Sequence, residues 1–172
     1  MTSVENAVPT SHAERPAGGP RAGVAPGADP PAGVVWFLLA VPRAGLGPTT
    51  WSLVRFLVRG GAHGLACHVV LRPTTSAANP TDGDPTSDEE SRVAREIRMR
   101  LVDELGSDAS AVAVRILHGD PGERICEYAD YAHCGLIVLG PRSRSAFGRW
   151  VQGSVSRFVT ANSRRSILLV GD

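Results

Sequence analysis

Between Tyr131 and Gly171 the sequence carries six arginines (Arg142, Arg144, Arg149, Arg157, Arg164 and Arg165) and no aspartate or glutamate. The whole chain is nearly neutral, with 18 basic and 17 acidic residues and a formal net charge of +1. Cations are therefore gathered in one stretch rather than spread. Every basic residue is arginine, and a guanidinium binds phosphate with a planar fork of donors. Inside the stretch, Gly140 to Ser156 joins an apolar run to a helix-like one. Gly153 and Ser154 sit where that helix would begin. A glycine there lets a ligand approach the backbone closely, because it has no Cβ. The amides of Ser154, Val155 and Ser156 would be unpaired donors, and with the positive helix end they suit an anion such as phosphate. The Ser154 hydroxyl adds another donor. The same residues also fit a solvated loop followed by an ordinary serine-capped helix. A glycine-rich strand-to-helix loop does not by itself decide between the two.

The remaining reactive groups point to less chemistry. Cys67, Cys126 and Cys134 are odd in number and form no CxxC, which fits reduced, buried thiols of an intracellular chain, with a redox or metal role as the alternative. His68 lies near a strand end, as a structural residue or a ligand contact. His118 reads as a turn residue, and His63 and His133 as exposed. No two histidines or carboxylates have ligand spacing on one element, so no metal site is expected. There is no Gly-x-Ser-x-Gly turn, no phosphate loop with lysine and no nucleophile–base pair, so no catalytic residue is expected. The acidic cluster from Asp82 to Glu90 reads as a solvated loop and helix cap. Trp150 either stacks on or covers a ligand, or packs on a second subunit.

These groups need a scaffold. A chain of 172 residues allows one ordinary domain. Residues 1–33, rich in Pro, Gly and Ala, read as a disordered tail. From Val34 the run Val34–Val41 is continuously apolar, as a parallel strand covered on both faces requires, and Pro42 ends it. A helix follows from Trp51 to about Arg59, with Leu53, Val54, Leu57 and Val58 on one side. Leu65–Leu71 is a second strand. A polar loop over 73–87 leads to a helix from Asp88 to about Leu105, with Val93, Ile97, Leu101 and Leu105 as its apolar stripe. Ala111–Leu117 is a third strand. Asp120, Pro121 and Glu123 read as N-cap, first helical residue and capping-box partner of a helix ending near Tyr131. Gly135–Leu139, a helix from Gly153 or Ser154 to about Ala161, and Ser166–Val170 complete the chain. Such alternation predicts a parallel sheet with helices on both faces and right-handed crossovers. Ligands of these sheets sit beyond the carboxyl ends of the strands, where the strand order reverses.

The loop is similar to one in universal stress proteins. Their nucleotide-binding members carry Gly, two residues, Gly, nine residues, then Gly-Ser or Gly-Thr. Here Gly140 and Gly153-Ser154 keep that spacing. Gly135-Leu136-Ile137-Val138-Leu139-Gly140, Ser166-Ile167-Leu168-Leu169-Val170 and His118-Gly119-Asp120-Pro121 also resemble the family, and the likeness covers the domain 34–172. It implies a single Rossmann-like α/β domain with a five-stranded parallel sheet of order 3-2-1-4-5. It implies an ATP or other adenine-nucleotide site, with Mg²⁺ accompanying ATP. In that site Val69 lies near the adenine, Gly140 and Arg142 near ribose and phosphates, and Gly153, Ser154 and Val155 hold phosphate through backbone amides, with Val41 and Ser143 also among the nucleotide-binding residues. Two residues depart from the pattern. Ser143 replaces the middle glycine, and Pro42 stands where binding members have an aspartate that accepts from adenine. A dimeric scaffold without nucleotide is the alternative these departures raise. A slow ATP hydrolase is a further one. The resemblance also implies a homodimer through the last strand, and stress signalling to an unidentified protein partner.

No apolar run reaches the 18–20 residues that span a bilayer, and the N-terminus has no secretory pattern. A cytoplasmic protein is expected, with no membrane and no nucleic-acid partner, since the near-neutral charge gives no electrostatic case for either.

Overall fold

The computed structural model describes residues 34–71, 85–141 and 153–171. The expectations for the tail, Arg142, Ser143, Arg144, Arg149 and Trp150 concern residues outside that set. The elements in chain order are β1 (Trp36–Ala40), α1 (Pro48–Arg59), β2 (His63–Val70), α2 (Pro85–Leu105), β3 (Val112–His118), α3 (Pro121–Tyr131), β4 (Leu136–Leu139), α4 (Ser154–Asn162) and β5 (Ser166–Leu169). All strand pairs are parallel and the order is β3-β2-β1-β4-β5.

The centre of the sheet follows from the apolar run after Val35. Phe37, Leu38 and Leu39 have no solvent exposure. Phe37 and Leu39 pack with Trp51, Val54, Ile97 and Leu101 on one face. Leu38 packs with Ile125, Ala129, Ile137 and Val159 on the other. Both faces are covered, so the strand needs no polar alternation. Each such side chain contributes about 2 kcal/mol of apolar burial.

Element boundaries move for local reasons. The strand expected from Val34 starts at Trp36, and Val35 is 53% exposed. Helix α1 starts at Pro48 rather than Trp51, with Gly47 as N-cap. Proline suits that place because its missing N–H would have had no helical partner. Helix α2 likewise begins at Pro85 rather than Asp88. Gly106 leaves it at φ +61°, but the chain then winds a short 3₁₀ helix, Gly106–Ala111, before β3. His118 is the last residue of β3 rather than part of the turn, and its Nε2 lies 2.9 Å from Glu90 Oε1. The turn falls on Gly119, at φ +123°.

Asp120 caps α3 as its residue type predicts, accepting from the amides of Gly122 at 2.8 Å and Glu123 at 3.2 Å. The reciprocal bond, from the Asp120 amide to the Glu123 carboxylate, is not formed among the described residues. Helix α3 also holds α4. A Cβ on Gly122 would lie 2.6 Å from the Phe158 ring, so that ring rests on bare backbone. At the other end of α3, Arg165 Nε donates to Asp130 Oδ1 at 2.6 Å. Among the described residues no helix is long and apolar enough to cross a membrane.

Candidate functional site

In this strand order the chain leaves β1 and β4 toward opposite edges of the sheet, opening a crevice beyond their carboxyl ends. Three features meet there: the start of α4, the residue after β4, and the ends of β1 and β2.

Helix α4 has Gly153 as its N-cap, at φ −62° and ψ 158°, with no side-chain cap. The first helical bond runs from the Arg157 amide to the Gly153 carbonyl at 3.1 Å. The amides of Ser154, Val155 and Ser156 precede it and have no partner among the described residues. The Ser156 hydroxyl donates to the Gly153 carbonyl at 2.9 Å instead of serving those amides. The serine-capped alternative is thereby displaced, because the capping residue is glycine. Gly153 has neither a left-handed φ nor crowding. An added Cβ would meet nothing within 4 Å among the described residues. No described neighbour calls for glycine here.

Gly140 is the opposite case. A Cβ on it would overlap the Thr50 hydroxyl, 2.9 Å from Thr50 Cγ2 and 3.0 Å from Thr50 Cβ. Thr50 lies one turn before Val54 on the buried side of α1 and has no exposure. Among the described residues its buried hydroxyl has no hydrogen-bond partner. Glycine is therefore demanded at the exit of β4 by the packing of α1.

At the end of β1 the Val41 amide donates to the Cys67 carbonyl at 2.8 Å. The next rung of that ladder would run from the Val69 amide to the Val41 carbonyl. Instead, His68 Nδ1 bonds that carbonyl at 2.8 Å. Since the alternation directs Val69 toward β1 rather than β3, its N–H and C=O have no backbone partner among the described residues. Pro42 follows, half-buried, its carbonyl accepting from the Gly45 amide at 2.9 Å in a turn. It offers no side-chain acceptor.

Of the residues named from sequence, Val41, Val69, Gly140, Gly153, Ser154 and Val155 lie at strand ends or at the start of α4. Arg142 and Ser143 lie outside the described residues. Thr50 was not singled out, although its i−4 spacing from Val54 signals the buried face of α1. His68 was left open, and its role depends on a backbone carbonyl that no sequence pattern displays. Among the described residues no three His, Cys, Asp or Glu side chains cluster as metal ligands would.

The cysteines sit apart from this crevice in chemical character. Cys67 and Cys134 are buried and Cys126 is half-buried. Burial pushes the Cys67 thiol up to about 12 and the Cys134 thiol up to about 11. Burial also raises Cys126, helped by the nearby Asp130 and Glu127 carboxylates. Thiolate is the reactive form, so alkylation of the native protein at neutral pH is expected to modify Cys126 first. Cys67 and Cys134 should react only on unfolding. Because the folded chain keeps those two protonated, the unfolded chain releases their protons first. Stability should fall as pH rises above about 9 and go on falling toward 11 to 12. Equal labelling of all three native thiols in a mass-spectrometric time course would contradict this.

The chain belongs to the universal stress protein family, whose sequence profile it matches over residues 49–171. That stretch begins after β1. The chain is similar to stress response protein NhaX of Bacillus subtilis (strain 168), with 34% identity over 103 residues. The match covers 56% of this chain and 60% of that protein, so it spans less than two thirds of the relative's length. In fold the chain is similar to the universal stress protein from Archaeoglobus fulgidus in complex with dAMP. That likeness has a TM-score of 0.54 and 18% identity, and covers 78% of this chain and 96% of the other. It is also similar to a universal stress protein family protein from Arabidopsis thaliana with AMP bound. There the TM-score is 0.52 and the identity 15%, over 80% of this chain and 90% of the other. At these identities the likeness shows the fold.

Proposed function

We propose that the domain 34–172 binds an adenine nucleotide in the crevice over β1 and β4 and acts as a nucleotide-responsive stress-signalling protein rather than as an enzyme. The observation that carries this reading is the start of α4. Among the described residues, three amides without partners follow a Gly153 that has no side-chain cap and that neither strain nor crowding explains. Such an end binds phosphate readily. At the far side of the crevice the Val69 N–H and C=O offer one donor and one acceptor. A peptide edge of this kind complements adenine, which pairs a ring-nitrogen acceptor with an exocyclic amine. The acceptor on Val69 supplies what Pro42 cannot. ATP with Mg²⁺ is the ligand we favour, and Arg142 and Ser143 join the phosphates and ribose in this reading. The bound nucleotide would set how the arginine-rich loop meets a protein partner, by population shift.

Calorimetry with ATP and AMP tests the proposal. Saturable heat and a rise in Tm are expected, and neither appearing at millimolar nucleotide would end it. Pro42 favours a second reading, a scaffold that has lost the ligand. Nucleotide released on denaturing the purified protein would exclude that reading.

The assembly we favour is a cytoplasmic homodimer. Strand β5 is an edge of the sheet, and its Ile167, Leu168 and Leu169 are half-buried. An apolar edge strand is usually covered, and a second copy would cover it. Light scattering at micromolar concentration should report a dimer. A monomer would refute this assembly.

A further inference from the structure

We infer that His68 is a positioning residue: by bonding the Val41 carbonyl, it keeps the Val69 peptide open at the crevice. The inference rests on the adenine-nucleotide reading for its function, but its structural half stands by itself.

The parallel β1–β2 ladder is regular up to its last rung. The His63 amide donates to the Val35 carbonyl at 3.0 Å, and the Val41 amide donates to the Cys67 carbonyl at 2.8 Å. Trp36 through Ala40 face His63 through Cys67 in continuous register. Continuing the alternation by one step brings the Val69 amide to the Val41 carbonyl. Nothing blocks that step on the β1 side, because Val41 is still in line and only its successor is proline. The acceptor is present, and among the described residues it is held by the His68 imidazole and not by that amide. A carbonyl only accepts, so His68 Nδ1 carries the hydrogen, which assigns the tautomer. The imidazole thus replaces a backbone donor from the very next residue.

A sheet that ended by simple fraying would leave the Val41 carbonyl free as well. Here, among the described residues, the carbonyl is satisfied while the neighbouring amide is not. The arrangement fixes the Val41–Pro42 peptide and presents the Val69 donor and acceptor with their spacing set by the strand. A ligand edge can then add to β2 where β1 stops, as an extra strand would. The ligand class is a planar heterocycle with an acceptor beside a donor, which adenine provides.

Amide hydrogen exchange on the full chain, read residue by residue by NMR, tests this first without ligand. The Val69 amide should exchange about a hundredfold faster than the ladder-bonded Cys67 amide. Saturating AMP should slow it. In His68→Ala the ladder should close, protecting the Val69 amide without AMP and weakening AMP about tenfold, as loss of one buried hydrogen bond implies. His68→Asn, whose side-chain amide can donate to the same carbonyl, should keep AMP affinity within about threefold. A Val69 amide as slow as Cys67 in the unliganded wild type overturns the inference, whether or not His68→Ala folds. So does His68→Ala binding AMP as tightly as the wild type. If wild type shows the open amide but no AMP binding, the nucleotide reading falls and the hold of His68 on the Val41 carbonyl stands.

Discussion

Replacing Gly140 with alanine should destabilise the domain by about 3 kcal/mol, the upper end of the range for overpacking a filled interior. Over a domain of this size that corresponds to a fall in Tm of roughly 10 °C. The new Cβ would overlap the Thr50 hydroxyl and also sit 2.9 Å from Cγ2 and 3.0 Å from Cβ of the same side chain. Rotating Thr50 therefore exchanges one clash for another. Helix α1 cannot easily retreat, because Trp51 and Val54 beside Thr50 are seated in the core. Thr50→Ala in the same chain removes two of the three close atoms and should recover part of the loss. Thr50→Val alone should be neutral or slightly stabilising, since it keeps the shape and removes a buried hydroxyl without a partner. Urea unfolding of the parent, Gly140→Ala, Thr50→Ala and the double variant measures the coupling, with Thr50→Val read beside them. A Gly140→Ala midpoint indistinguishable from the parent would show that α1 does not press on the end of β4.

The second large effect is on binding, and it has the opposite relation to stability. Gly153→Asp should reduce nucleotide affinity more than about a hundredfold, equivalent to about 2.7 kcal/mol, and leave stability unchanged or raised by a few tenths of a kcal/mol. Aspartate is a good N-cap and a negative charge suits a helix start. Among the described residues nothing crowds a side chain there, and the φ of −62° is one that any residue adopts. The carboxylate would take the amides that a phosphate needs. It would also repel the phosphate by ~4 kcal/mol for unit charges ~4 Å apart at an effective dielectric of 20. Calorimetry with ATP, paired with thermal unfolding of the free protein, reads both effects. Unchanged affinity in a folded Gly153→Asp protein would place the anion elsewhere.

These two glycines show how far the sequence carries. Both belong to one spaced motif, and spacing alone gives them one meaning. In the structure Gly140 answers to a threonine 90 positions earlier in the chain, whereas Gly153 answers to no described neighbour. That difference lies in long-range packing, which periodicity does not encode. The architecture was more legible. Unbroken apolar runs marked the parallel strands, the i+4 stripe from Val93 to Leu105 marked α2, and Asp120-Pro121 marked the start of α3. Starts at Pro48 and Pro85 were read late because proline looks like a breaker until its place at the first helical position is considered. The 3₁₀ helix from Gly106 to Ala111 escapes the pattern for a similar reason, since a left-handed glycine does not prevent a 3₁₀ segment. For the site, amides at a helix start can be inferred from a pattern, but an imidazole occupying a strand carbonyl cannot.

Phe158 on Gly122 and Arg165 on Asp130 tie α3 to both ends of the α4 region. The two helices consequently form one slab on the sheet face that carries Leu38, Leu65 and Ile137, with α3 lying against β1, β2 and β3. That slab joins the strands on one side of the crevice to the helix on the other. A substitution buried beneath that slab, far from any bound molecule, would misalign the grip on it as effectively as a change at the point of contact.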